Sequence, residues 1–115
     1  MDLLRVCNTA TGSVLAERAW HAKGPLERMR GLLGRTLDPG QGMVIEPCSS
    51  VHTFFMAVPL DLLFVDAEHR VLRAIPTLLP WRLSPFIRGA RYVVELPAGA
   101  AEGTLAGHCL ALEPA

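Results

Sequence analysis

The run Leu60-Asp61-Leu62-Leu63-Phe64-Val65 reads as a strand with Leu60, Leu62 and Phe64 on one face and Asp61, Leu63 and Val65 on the other. Such a strand is buried on both faces, which sets Asp61 among apolar groups. A carboxylate in that position needs a cation or several hydrogen-bond donors. Arg28 and Arg35 are the natural cations, and His52, on a strand expected next door, is another candidate. The expectation is a polar cluster of Arg28, Arg35, His52 and Asp61 near a helix end, able to hold a small anion or polar ligand. The competing structural reading is an internal ion pair that fastens the helix to the sheet.

Around this strand the chain is a succession of short elements. Leu3 to Cys7 and Ser13 to Trp20 flank the turn-forming Asn8-Thr9-Ala10-Thr11-Gly12 and predict a β-hairpin. Leu26, Met29 and Leu33 recur at helical spacing, with Pro25 suited to the first turn and Gly34 to the end, which predicts a short amphipathic helix. Met43 to Ile45 is a further strand, ended by Pro47. Ser50 to Met56, Leu60 to Asp66 and Arg70 to Ile75 suggest a three-stranded meander. Pro76, Pro80 and Pro85 bar the next segment from a central strand, while its Trp81 and Phe86 suit a core cap or a groove wall. Arg91 to Leu96 is a strand, Ala100 to Leu105 a second short helix, and Gly107 to Leu112 the closing strand. The predicted fold is one α+β domain over residues 1–115: a curled, mostly antiparallel sheet approaching a small barrel, with one or two short helices.

Composition narrows the function. Lysine plus arginine number 11 and aspartate plus glutamate 11, so no net field draws the chain to nucleic acid or to an anionic membrane. Three widely spaced cysteines, Cys7, Cys48 and Cys109, form no CxxC pair and no disulfide framework, which points to a reducing compartment. The first residues lack the basic end and apolar run of a secretion signal, and Val51 to Val65 is too interrupted to span a bilayer as a helix, so a cytoplasmic location is expected.

The stretch Cys48-Ser49-Ser50-Val51-His52-Thr53-Phe54-Phe55-Met56 gathers reactive side chains. Extended, it holds Cys48 and His52 roughly 13 Å apart, beyond the reach of a thiol and imidazole dyad unless the chain bends near Ser49 and Ser50. The same spacing opposes one metal ion bound along the strand, and Cys48 and Met56 suit core positions. No GxSxG motif supports a triad of Ser49 or Ser50 with His52 and Asp61, and Gly31 and Gly34 do not form a phosphate loop. Glu95 shares a predicted face with Arg91 and Val93 and suits a cross-strand or surface pair.

Arg28-Met29-Arg30-Gly31-Leu32-Leu33-Gly34-Arg35, then Gly42-Met43 leading to Phe55-Met56, then Pro59 to Asp66, and finally Tyr92-Val93-Val94-Glu95-Leu96-Pro97-Ala98-Gly99, resemble the bacterial and archaeal family catalogued as domain of unknown function 192. The resemblance runs from about Arg28 to Leu112. It implies a small α+β domain with a barrel-like sheet and no established activity. Members of the family often begin with a secretion signal, and many carry a Trp-Met pair and an Asn where this chain has Phe55-Met56-Ala57-Val58.

Two function classes follow. The favoured one is a small non-catalytic binding or accessory domain, with the segment from Pro76 to Phe86 as a contact surface and a small molecule or protein as partner. The other is a small enzyme or metal-handling protein that uses His52, Asp61, Arg35 and Cys48. Neither a cofactor nor a resident metal is expected, and the oligomeric state is left open.

Overall fold

The structure is a computed structural model that describes residues 2–24, 36–53 and 58–115. Seven strands lie among the described residues: β1 (Asp2–Asn8), β2 (Val14–Ala22), β3 (Gln41–Ile45), β4 (Leu60–Val65), β5 (Val71–Leu78), β6 (Tyr92–Pro97) and β7 (Leu110–Pro114). They form one sheet in the order β5-β4-β6-β3-β2-β1-β7. All pairs are antiparallel except β2 with β3. The β1–β2 hairpin forms as expected, its turn closed by Asn8 N–H to Ser13 C=O at 2.8 Å. Where β3 is squeezed between its neighbours, Gly42 is required: a Cβ there would lie 3.0 Å from Leu96 and 3.1 Å from the Glu95 carbonyl.

The sheet curls until its two edges meet at one end. Arg70 bridges Cys109, the Val71 amide donates to the His108 carbonyl at 2.8 Å, and the Leu110 amide donates to the His69 carbonyl at 2.8 Å. One apolar cluster draws Val6, Ala19, Val44, Leu63, Val71, Val94 and Leu110 from all seven strands and fills the concave side. A second cluster, with Met43, Leu60, Leu62, Phe64 and Val93, lies on the convex side of the central strands. β4 is therefore buried on both faces, as its alternation requires.

The convex cluster is covered by a two-stranded ribbon in which residues 49–53 run antiparallel to 81–87. Its hydrogen bonds are Thr53 N–H to Arg82 C=O (2.8 Å), Trp81 N–H to Thr53 C=O (3.0 Å), Ser84 N–H to Val51 C=O (2.9 Å) and Ile87 N–H to Ser49 C=O (2.9 Å). Val51 and Ile87 pack inward against the cluster, while His52 and Leu83 face one another across the ribbon on its exposed side.

These observations correct the α+β expectation to an all-β half-barrel, since the described residues contain no helix. Ala100 to Leu105, expected as a helix, is a series of turns held by short-range bonds such as Thr104 N–H to Ala101 C=O. The helix expected over Leu26 to Leu33 lies outside the described residues. The meander is corrected as well. β4 lies between β5 and β6, and residues 50–53 pair with the proline-rich segment instead.

Candidate functional site

Of the four residues expected to cluster, Arg28 and Arg35 lie outside the described residues. Asp61 is 2% exposed on the concave side at one end of the half-barrel. Its Oδ1 accepts the Thr77 amide at 2.8 Å, and its Oδ2 accepts the Gly99 and Ala101 amides at 2.9 and 3.0 Å. Donors arrive there because regular pairing ends: β4 and β5 slip register between Leu60 and Leu62, and β6 gives way to the turn after Pro97. The carboxylate thus ties the end of β5 to the turn after β6, and backbone donors meet the requirement for compensation.

His52 is exposed on the outer face of the ribbon, opposite Leu83 and outside the buried environment of Asp61. The Cys48 thiol donates to the Ser50 carbonyl at 3.1 Å. In this ribbon the hydroxyls between Cys48 and Met56 do the structural pinning. Thr53 Oγ1, fully buried, donates to Leu79 C=O at 2.6 Å and accepts the Arg82 amide at 2.9 Å. From the facing strand, Ser84 Oγ accepts the Val51 amide at 2.9 Å and donates to Pro85 C=O at 3.0 Å. Among the described residues, no three His, Cys, Asp or Glu side chains converge as a metal site would require.

One feature was missed: Glu95, expected in a surface or cross-strand pair, is 4% exposed on the convex side between Met43 and Leu62, both fully buried. Burial pushes its carboxyl up from 4.5 to about 8. Among the described residues no ion pair or hydrogen bond reaches that carboxyl. The two-face test that marks β4 as buried would also have found it, because Tyr92, Val94 and Leu96 alternate with Val93 and Glu95.

The segment from Pro76 to Phe86, expected as a contact surface, supplies one strand of the ribbon and most of its exposed apolar residues. Leu79, Trp81, Leu83 and Phe86 are 50%, 55%, 68% and 70% exposed, with Arg82 and Arg88 exposed beside them. Trp81 takes a φ of 63°, a conformation that bulky residues rarely adopt, and its amide is hydrogen-bonded to Thr53. Each of these apolar residues is at least half exposed, and the backbone amide of Trp81 is fixed by its hydrogen bond.

A charged group lies at the junction of β2, β3 and β6. Burial raises the Glu46 carboxyl, but bonds from His21 Nε2 (2.8 Å) and Arg91 Nε (3.2 Å) outweigh it and hold the group below its usual value. Tyr92 donates to or accepts from His69 Nδ1 at 2.9 Å, and burial, with the charges of Glu46 and Asp66, pushes its phenol up. Both arrangements link neighbouring segments of the sheet.

An all-β half-barrel with this strand order defines the class of domain. The same fold is found in a protein of unknown function from Novosphingobium aromaticivorans, at a TM-score of 0.80 and 24% identity over 95% of this chain and 83% of that one. A solved structure from Sinorhizobium meliloti matches at a TM-score of 0.78 and 24% identity, over 96% of this chain and 92% of that one. The chain belongs to the family described as "Uncharacterized ACR", domain of unknown function 192, whose model matches residues 6–110. Relatives include a UPF0127 protein of Pyrococcus horikoshii, 41% identical over 47% of this chain and 46% of its own length. Another, from Thermococcus kodakarensis, is 32% identical over 71% of this chain and 58% of its own length. The chain thus spans about half to three-fifths of these curated relatives.

Proposed function

We propose that the protein is a non-catalytic binding module whose contact surface is the outer face of the ribbon. The observation that carries this reading is the row of Leu79, Trp81, Leu83 and Phe86, each at least half exposed on a hydrogen-bonded backbone. Isolated exposed apolar residues are ordinary, but four within eight positions of one pinned segment form a patch of the kind that contacts a partner. A reducing, cytoplasmic setting accords with Cys7, Cys48 and Cys109, which form no disulfide. No helix among the described residues is long and apolar enough to cross a membrane.

The test is a photoreactive benzophenone amino acid placed at Leu83 and, as a control, at exposed Glu102 in cells that make the protein. Discrete adducts from position 83 alone, lost when Phe86→Asp is added, are expected. Equal adducts from both positions would overturn the reading.

A second reading, a small enzyme, is favoured by one observation: a carboxyl at position 95 that burial keeps protonated near neutral pH could give or take a proton. Of the other residues expected in such a role, Asp61 has both oxygens engaged by amides and Arg35 lies outside the described residues. A Glu95→Gln protein that keeps its fold but loses a measured turnover would move the assignment to this reading.

A further inference from the structure

Charge is unevenly distributed along this neutral chain. Between Glu68 and Glu95 there is no acidic residue, while Arg70, Arg73, Arg82, Arg88 and Arg91 all fall in that interval. Arg91 is engaged with Glu46. Among the described residues, no acidic side chain lies within ion-pair distance of Arg82 or Arg88, both exposed, the one next to Leu83 in sequence and the other two residues after Phe86. Among the described residues, then, two exposed guanidinium groups without an acidic partner adjoin the apolar residues in sequence.

We propose that this face docks an acidic polypeptide segment whose apolar side chains cover Trp81, Leu83 and Phe86 while its carboxylates meet Arg82 and Arg88. This rests on the binding-module reading and specifies the chemistry of the partner. Aromatic side chains and arginine are the residues that carry most energy at protein interfaces, and guanidinium forks match carboxylates in two-point contacts. The ribbon's backbone is already ordered by its hydrogen bonds, so little conformational entropy is lost in docking. From Leu79 to Arg88 the chain spans at most about 30 Å, the reach of a partner segment of similar length.

The geometry favours a polypeptide over the other anionic surfaces. A bilayer takes apolar groups about 5 to 10 Å below its headgroups, which suits a projecting tip. Here the ribbon lies flat over the convex cluster, and burying Leu83 that far would carry Arg82 and His52 down with it. A single-stranded nucleic acid stacks its bases on aromatic rings, and half of this row, Leu79 and Leu83, offers no ring.

The test begins with a displayed library of random peptides, long enough to span the ribbon, selected on the intact protein. Winning peptides are then titrated against wild type, Arg82→Gln/Arg88→Gln and Trp81→Ser/Leu83→Ser, with thermal melts confirming that these exposed substitutions leave the fold intact. Expected are sequences rich in Asp, Glu and large apolar residues, bound about ten-fold more weakly by the arginine variant, with salt weakening the wild-type complex. The Trp81→Ser/Leu83→Ser variant should not bind them. Peptides that need Trp81 and Leu83 but show no acidic excess, or ignore the arginine change, would overturn this inference while the binding-module reading stands. If no selected peptide depends on Trp81 and Leu83, both fail. Ribbon-dependent binding of phosphatidylglycerol vesicles or of single-stranded DNA, without such peptides, would overturn the proposal and assign the face to that surface.

Discussion

Asp61 and Glu95 are both buried carboxyls on adjacent, paired strands, separated by one step of register: Asp61 lies opposite Leu96 and Glu95 opposite Leu62. Their environments are opposite. Asp61 sits on the concave side at the end of the half-barrel, where a register slip and a turn leave three amides free to donate to it. Glu95 sits on the convex side in the middle of the ladder, where neighbouring strands spend their amides on one another. Burial alone does not set the state of a buried acid in this sheet. What differs is whether the backbone is interrupted beside it.

The contrast can be broken by removing each group in turn, and the largest effect belongs to Asp61. Asp61→Ala leaves three amides without their acceptor, at about 1 to 3 kcal/mol each, less what water recovers at the partly exposed Thr77 and Gly99; a net loss of about 4 kcal/mol is expected. Urea unfolding measures it. A loss under about 1 kcal/mol would mean that the turn after β6 holds without this carboxylate.

Glu95 should show itself through pH. Its folded value is raised to about 8 from 4.5, so between those values the folded state retains a proton that the unfolded state has released. The contribution is fully present below pH 4.5, falls as pH rises, and stops falling above about 8. The expected loss is roughly 2 to 3 kcal/mol between pH 5 and pH 7, read from urea midpoints across that range and absent in Glu95→Gln. An identical pH slope in wild type and Glu95→Gln would show that Glu95 is ionised in the folded protein.

The two acids also differ in how far the sequence reveals them. That Asp61 needs donors follows from the apolar residues around it, but Thr77, Gly99 and Ala101 are 16, 38 and 40 residues away and come together only through the sheet's closure. Glu95 is legible by the same alternation, but Arg91 shares its predicted face and suggests a surface pair; in the structure Arg91 pairs with Glu46 instead. The ribbon was hidden for a different reason. Pro76, Pro80 and Pro85 argue against pairing, yet the segment donates from Trp81, Arg82, Ser84 and Ile87, which avoid the proline nitrogens. Local pattern carries β1, β2, β4 and β6 well. Partners fixed by long-range closure are beyond it.

The same distinction between served and unserved polar groups extends to the ribbon. Thr53, like Asp61, is buried with its polar atom engaged by backbone on both sides. Thr53→Val keeps the shape and removes the hydroxyl, stranding the Leu79 carbonyl and the Arg82 amide near the surface, so a loss of about 1 to 2 kcal/mol is expected in thermal or urea unfolding. No change would show that the backbone ladder alone holds the ribbon, and the analogy with Asp61 would be lost.

The smallest effect gives the finest test. At pH 5 the folded Glu95 carboxyl is protonated, and glutamine is a neutral side chain of nearly the same shape. Glu95→Gln should therefore change stability by less than about 1 kcal/mol at that pH, since neither form carries charge into the convex cluster. At pH 8 the variant should be the more stable protein, because only the wild type then bears a partly ionised group between Met43 and Leu62. A loss above about 2 kcal/mol at pH 5 would mean that the acid makes a hydrogen bond an amide cannot copy. In that case Glu95 would be a second structural tie like Asp61, and the case for a proton-transfer role at this position would go with it.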